Sequence, residues 1–130
     1  MGNDDNKLIK VAHYNTKLNP IIGVDFEAFI VYRSKGLLTH LMNRRHFIAA
    51  KYIDYLSDII HNPDFAGYHN GNIELVKCYK DNLFVSIRLD HRKSHYYVAT
   101  IFDVKKSKIA TYVKSGRLKI VNKEILIDEM

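Results

Sequence analysis

The chain has 130 residues, a length that fits one domain with its own hydrophobic core. Lys and Arg number 20 against 14 Asp and Glu, a formal net charge of +6, so polyanions are natural partners. The single Cys78 excludes an internal disulfide, no paired Cys and His spacing marks a zinc site, and no apolar run has the length of a membrane span.

Residues 1–6 are acidic and polar, unlike a signal peptide, and are expected to be disordered, in a protein of the reducing cytoplasm. Residues 8–14 predict a short strand ahead of an Asn19-Pro20 turn, and the alternation in residues 24–33 predicts a second strand. Ser34 is a good N-cap for a helix whose Leu37, Leu38, Leu41 and Met42 form one apolar stripe. Thr39, His40, Asn43 and Arg44 fall on the opposite face, with His40 one turn from Arg44. Arg44-Arg45-His46 interrupts the helical path, because the apolar register restarts at Phe47 and runs through Ile53 and Leu56 to Ile60. His61-Asn62-Pro63-Asp64 ends that second helix: the residue before a proline is driven extended and the proline cannot continue the helix.

From Phe65 the period changes from helical to two. Residues 65–68 predict a short strand, His69-Asn70-Gly71-Asn72 a turn, and residues 73–80, 83–90 and 95–104 three antiparallel strands in a meander. A two-residue Asp81-Asn82 turn would set Lys77 opposite Ser86, and the His91–Ser94 loop would set Arg88 opposite Tyr97. Lys77, Tyr79, Ser86, Arg88 and Tyr97 would then share a polar face, with Val76, Cys78, Val85, Ile87, Val98, Thr100 and Phe102 on the other, under the helices. A basic stretch with Lys105, Lys106 and Lys108 leads into a short helix and an edge strand.

The order of a helix bearing THLMNRRH, a helix ending in IIHNPD and a meander with YYVATIF in its last strand resembles the phage-associated ribonucleases of the barnase, EndoU, colicin and RelE (BECR) group, over residues 26–121. The resemblance implies an α+β fold with two N-terminal helices packed on one face of a four-to-five-stranded antiparallel sheet. It implies a metal-independent endoribonuclease that needs no cofactor, acting on tRNA or another structured RNA. Members often serve as toxins or phage effectors, which implies an antitoxin or immunity protein as a partner. It matches the helix histidine to His40, a basic-histidine pair to Arg45 and His46, the strand cation to Arg88 and the strand hydroxyl to Thr100.

RNA cleavage by its own 2′-hydroxyl needs a base, an acid, and cations for the charge on the phosphorane. Histidine suits the proton roles and arginine the charge, which points to His40, His46 and Arg88 as catalytic candidates, and the resemblance adds the hydroxyl of Thr100. Arg44, Arg45, Lys77, Ser86 and Tyr97 are the substrate-binding candidates, Tyr96 or Tyr97 stacking on a base. Thr100 reaches that site only if a one-residue bulge carries it across the sheet. Other histidines have simpler roles: His61 at a helix C-terminus, His69 in a turn, His91 and His95 at a solvated hairpin end. A basic nucleic-acid-binding module, or an inactive phage protein of the same fold, would carry the same charge without an acid and base at one phosphate.

Overall fold

Strand-forming sequence falls at Leu8–His13 (β1), Ile30–Ser34 (β2), Phe65–His69 (β3), Asn72–Cys78 (β4), Asn82–Asp90 (β5), His95–Asp103 (β6) and Lys119–Ile120 (β7) in the computed structural model, which describes residues 7–126. The expected disorder of residues 1–6 concerns positions outside the described residues. The helices are Asn19–Ile22 (α1), Leu37–Asn43 (α2), Phe47–Lys51 (α3), Leu56–His61 (α4), Lys106–Ser115 (α5) and Lys123–Leu126 (α6), with 3-10 turns at Thr16–Leu18 and Ile53–Tyr55.

The strands form one seven-stranded sheet in the order β1-β2-β6-β5-β4-β3-β7. All neighbours are antiparallel except β2 and β6, which run parallel. The sheet is therefore larger than the expected four or five strands, and mixed. The reason is that the β1–β2 pair joins the meander edgewise at β6, and β7 extends the other edge.

The helices divide between the two faces. α2, α3 and α4 bury Leu41, Ala49, Ala50, Leu56, Ile59 and Ile60 against Ile73, Leu75, Val85, Ile87, Val98 and Ile101 in the main core. On the reverse face α5 covers a smaller cluster of Val76, Phe84, Val104, Ile109 and Leu118, and the rest of that face is left without a helix.

Several boundaries differ from the sequence reading. Pro20 opens α1 in its first turn, where its missing N–H costs nothing, and does not mark a bare turn. Only the last part of residues 24–33 becomes a strand, since Phe26 turns aside to pack its ring against Tyr14, Tyr68 and Tyr96. Ser34 ends β2, and Gly36 occupies the N-cap of α2 without a side-chain cap. Leu38 and Met42 stay exposed.

The interruption at Arg44-Arg45-His46 is a Schellman ending. The Arg45 N–H donates to the Met42 carbonyl (3.1 Å), the His46 N–H to the Leu41 carbonyl (2.8 Å), and Arg45 takes φ 60°. α4 ends at His61 as expected, with Asn62 out of the helical region at φ −141° and ψ 57° ahead of Pro63.

The β4–β5 register is three residues off the expected one. Cys78 pairs with Asn82, so the turn takes residues 79–81, and Lys77 faces Leu83 while Ser86 faces Glu74. Lys77 and Tyr79 therefore leave the face of Arg88, and Val76 and Cys78 join it. Lys77 goes instead to the helix stop, donating to the Asn62 carbonyl (2.9 Å) with Asp64 at 3.9 Å. Arg88 does face Tyr97. Between these two pairs a bulge spends one extra β6 residue: Ser86 pairs with Thr100 but Ile87 with Val98. Thr100 and Phe102 are thereby moved from the expected helix-covered face to the face of Ser86 and Arg88.

Candidate nucleic-acid face

On the face away from α2–α4, paired residues stack into three rows. The row nearest α5 is apolar: Phe65, Val76, Phe84 and Phe102, with the last two rings stacked at 4.7 Å. The middle row is Gly67, Glu74, Ser86 and Thr100. The outer row crosses six strands without a break: Lys10, Tyr32, Tyr97, Arg88, Asn72 and His69. At roughly 4.8 Å between strands it spans on the order of 24 Å.

Each position in that row follows from the pairing. Asn70 and Gly71, at φ 51° and 80°, make a two-residue turn that seats His69 directly opposite Asn72. Asn72 Oδ1 accepts from Arg88 Nε (3.0 Å) and so fixes the guanidinium plane over the sheet. The terminal nitrogens of Arg88 are then the edge offered to a phosphate in a two-pronged contact. Tyr32 and Tyr97 lie half-buried beside it, and Tyr32 also packs edge-on against His95 at 4.8 Å. Arg88 and Thr100 are exposed, and Ser86 is buried below them.

One wall is built by the segment after α5. Arg117 grips the buried Glu74 with two bonds of 2.8 and 2.7 Å, and Tyr112 lies under its guanidinium at 4.1 Å. The Glu74 carboxylate holds the Arg117 proton more tightly than usual, outweighing partial burial. Gly67 makes this possible, because the Arg117 carbonyl occupies the space a Cβ would need.

Of the residues singled out from sequence, Ser86, Arg88, Tyr97 and Thr100 come together here. His40, Arg44, Arg45 and His46 do not: they are exposed on helices that pack against the opposite face. Lys77 is tied to the helix stop, and Tyr96 is buried behind the sheet. There its hydroxyl pKa is pushed up to about 12, by burial first and then by the Glu27 carboxylate. Lys10, Tyr32, Asn72, His69 and the Glu74–Arg117 pair were not picked out. The turn around His69 was the one usable signal, since a two-residue Asn-Gly turn fixes which residues oppose each other. Lys10 and Tyr32 were hidden because nothing local announces a parallel pairing.

Among the described residues no three His, Cys, Asp or Glu side chains are grouped to hold a metal ion. No helix among them is long and apolar enough to cross a membrane. Against families of known proteins, the profile of the phage-Barnase-EndoU-ColicinE5/D-RelE like nuclease3 family matches residues 9–111. The chain belongs to that nuclease family. No curated protein and no solved structure matches it. The match to this BECR nuclease family takes in β1 to β6 and the start of α5, hence every residue of the outer row.

Proposed function

We propose that the protein is an endoribonuclease that cuts without a metal ion, and that its substrate lies across the open sheet face. The observation that carries this is the unbroken row Lys10, Tyr32, Tyr97, Arg88, Asn72, His69. Lys10 and Arg88 flank the two tyrosine rings there, which gives a single-stranded segment cations for its phosphates and rings for its bases. Arg88, held by Asn72, takes the scissile phosphate, and Thr100 and Ser86 stand beside it to position an oxygen. His69 moves a proton: as base it takes it from the 2′-hydroxyl, whose oxygen attacks phosphorus and expels the 5′-oxygen. The leaving 5′-oxygen takes its proton from water, the protonated His69 then gives the one it took back to solvent, and the product keeps a 2′,3′-cyclic phosphate.

Structured RNA such as tRNA, with bases splayed in a loop, suits a face of this width. A toxin or phage-effector role in the cytoplasm, restrained by an antitoxin or immunity protein, fits the nuclease family and the chain's positive charge. His40 and His46, with Arg44 and Arg45, form a second basic group whose part in catalysis is decided by the paired histidine variants described below.

The test is to incubate purified protein with total RNA in excess chelator. Discrete fragments ending in 2′,3′-cyclic phosphate are expected; activity that vanishes with EDTA and returns with magnesium would refute the mechanism. One observation favours a second reading. His69 on β3 and His95 on β6 are three strands apart, roughly 14 Å, too far to serve one phosphate together as acid and base. Tight RNA binding with no cleavage under any condition would mark a binding module.

A further inference from the structure

Directly behind the outer row, at the same end of the sheet, lies a cavity of about 270 Å³. Its floor is Ile73, Ile87 and the buried Tyr96, its walls are Phe26 and Tyr68, and Arg88, Gly71 and, in the loop after β5, His91 form its polar lip. Phe26 stands edge-on to Tyr68 at 5.5 Å and to Tyr96 at 6.0 Å, so three rings surround the space. The volume falls just under the roughly 300–1,000 Å³ of sites for drug-sized molecules, which suits a single ring system.

The strand alternation ties this cavity to the outer row. Tyr68 and His69 are neighbours in β3, and Ile87 and Arg88 in β5, so in each pair one side chain serves the cavity and the next serves the row. Between them the chain turns at Gly71, which puts no side chain at the lip. A nucleic-acid strand whose phosphate sits on Arg88 can therefore pass over Gly71 and reach the cavity within one nucleotide.

We propose that this cavity receives an unpaired nucleobase flanking the phosphate held by Arg88, and so sets the sequence preference of the face. The inference rests on the reading of the face as an RNA site. It adds the apolar, ring-lined slot into which a base is extruded, where stacking and removal from water favour a flat heterocycle over a sugar or a phosphate.

The experiment follows Ile methyl resonances while the protein is titrated with each of the four nucleoside 5′-monophosphates, and with ribose 5-phosphate as the base-free probe. Ile73 and Ile87 report the cavity, and Ile109, on the buried side of α5, is the distant control. Saturable shifts of Ile73 and Ile87 with at least one nucleotide, none with ribose 5-phosphate and none at Ile109 are expected. Tyr68→Ala, at a side chain already 43% exposed, should weaken that binding roughly tenfold without unfolding the protein. Equal shifts with ribose 5-phosphate, or no shift with any nucleotide at millimolar concentration, overturn the proposal. The two readings fail separately. RNA cleavage without methyl shifts removes the base slot and leaves the nuclease, whereas methyl shifts without cleavage leave the slot and remove the nuclease.

Discussion

In the mechanism we propose, His69 and Arg88 make different contributions to the same phosphate, and kinetics separates them. His69→Ala removes proton transfer made only in the transition state, so turnover should fall by roughly two to four orders of magnitude while RNA affinity barely changes. Arg88→Ala removes a charge that also holds the ground state, so affinity should fall with turnover and the salt dependence of binding should flatten. His40→Ala is the comparison, since His40 is exposed on the helical side of the sheet and is expected to leave both quantities within a few-fold of the parent. A large loss of turnover in His40→Ala with none in His69→Ala would move the acid-base work to the helices. Arg88 and Thr100 were legible in the sequence through the family resemblance, as its strand cation and strand hydroxyl. His69 was read as turn chemistry because its neighbours Asn70 and Gly71 account for the turn; that it also faces Asn72 is a fact of pairing.

At the scale of elements, two backbone positions are constrained in different ways. Gly67 lies under the Arg117 carbonyl, and Gly67→Ala should push the segment after α5 off the sheet and loosen the Glu74–Arg117 grip. A loss of about 1–3 kcal/mol in urea unfolding is expected, larger than for Gly71→Ala, whose added Cβ meets nothing and whose cost is that of its left-handed φ alone. Arg45 holds the left-handed position that ends α2, where glycine is the usual occupant. Arg45→Gly should raise stability by about 0.5–1 kcal/mol, measured the same way, and leave cleavage unchanged. A fall in cleavage would show that the Arg45 guanidinium touches RNA. The interruption there, the helix stop at Asn62-Pro63, β3, the Asn70-Gly71 turn, α5 and the meander were all readable, because each rests on local rules of period, proline and glycine. The register was not. A turn of three residues where two were expected, and a single bulge residue in β6, each reverse a strand's faces, and neither leaves a mark in composition.

For the whole molecule, Asp64 links stability to pH. Burial alone would raise its pKa, but bonds from Lys123 Nζ (2.8 Å) and the Cys78 N–H (2.7 Å), with Lys77 nearby, hold it below the ordinary 3.8. A carboxylate depressed in the fold stabilises it fully above the ordinary value, and that contribution is lost as the pH falls through the depressed one. The melting temperature should therefore drop as the pH is lowered below about 4, and less steeply in Asp64→Asn. The same cluster is a hub: Lys123 also donates to the Asn62 and Pro63 carbonyls, both at 2.7 Å, which ties α6 to the end of α4.

The parallel seam between β2 and β6 also sets an order of events in folding. β3, β4, β5 and β6 follow one another through short turns, whereas Val31 meets Tyr96 only after nearly all of the intervening chain has been arranged. Closing so long a loop costs more entropy than closing a hairpin, so the meander gathers first and the N-terminal pair docks late. Pulsed amide exchange during refolding should find β4 and β5 protected before β1 and β2. Arg88, Asn72 and His69 belong to the early part, but Lys10 and Tyr32 arrive with the late one. The full width of the proposed RNA track thus exists only once the last strands have joined, and a half-made chain holds Arg88, Asn72 and His69 without the Lys10 and Tyr32 that complete the row.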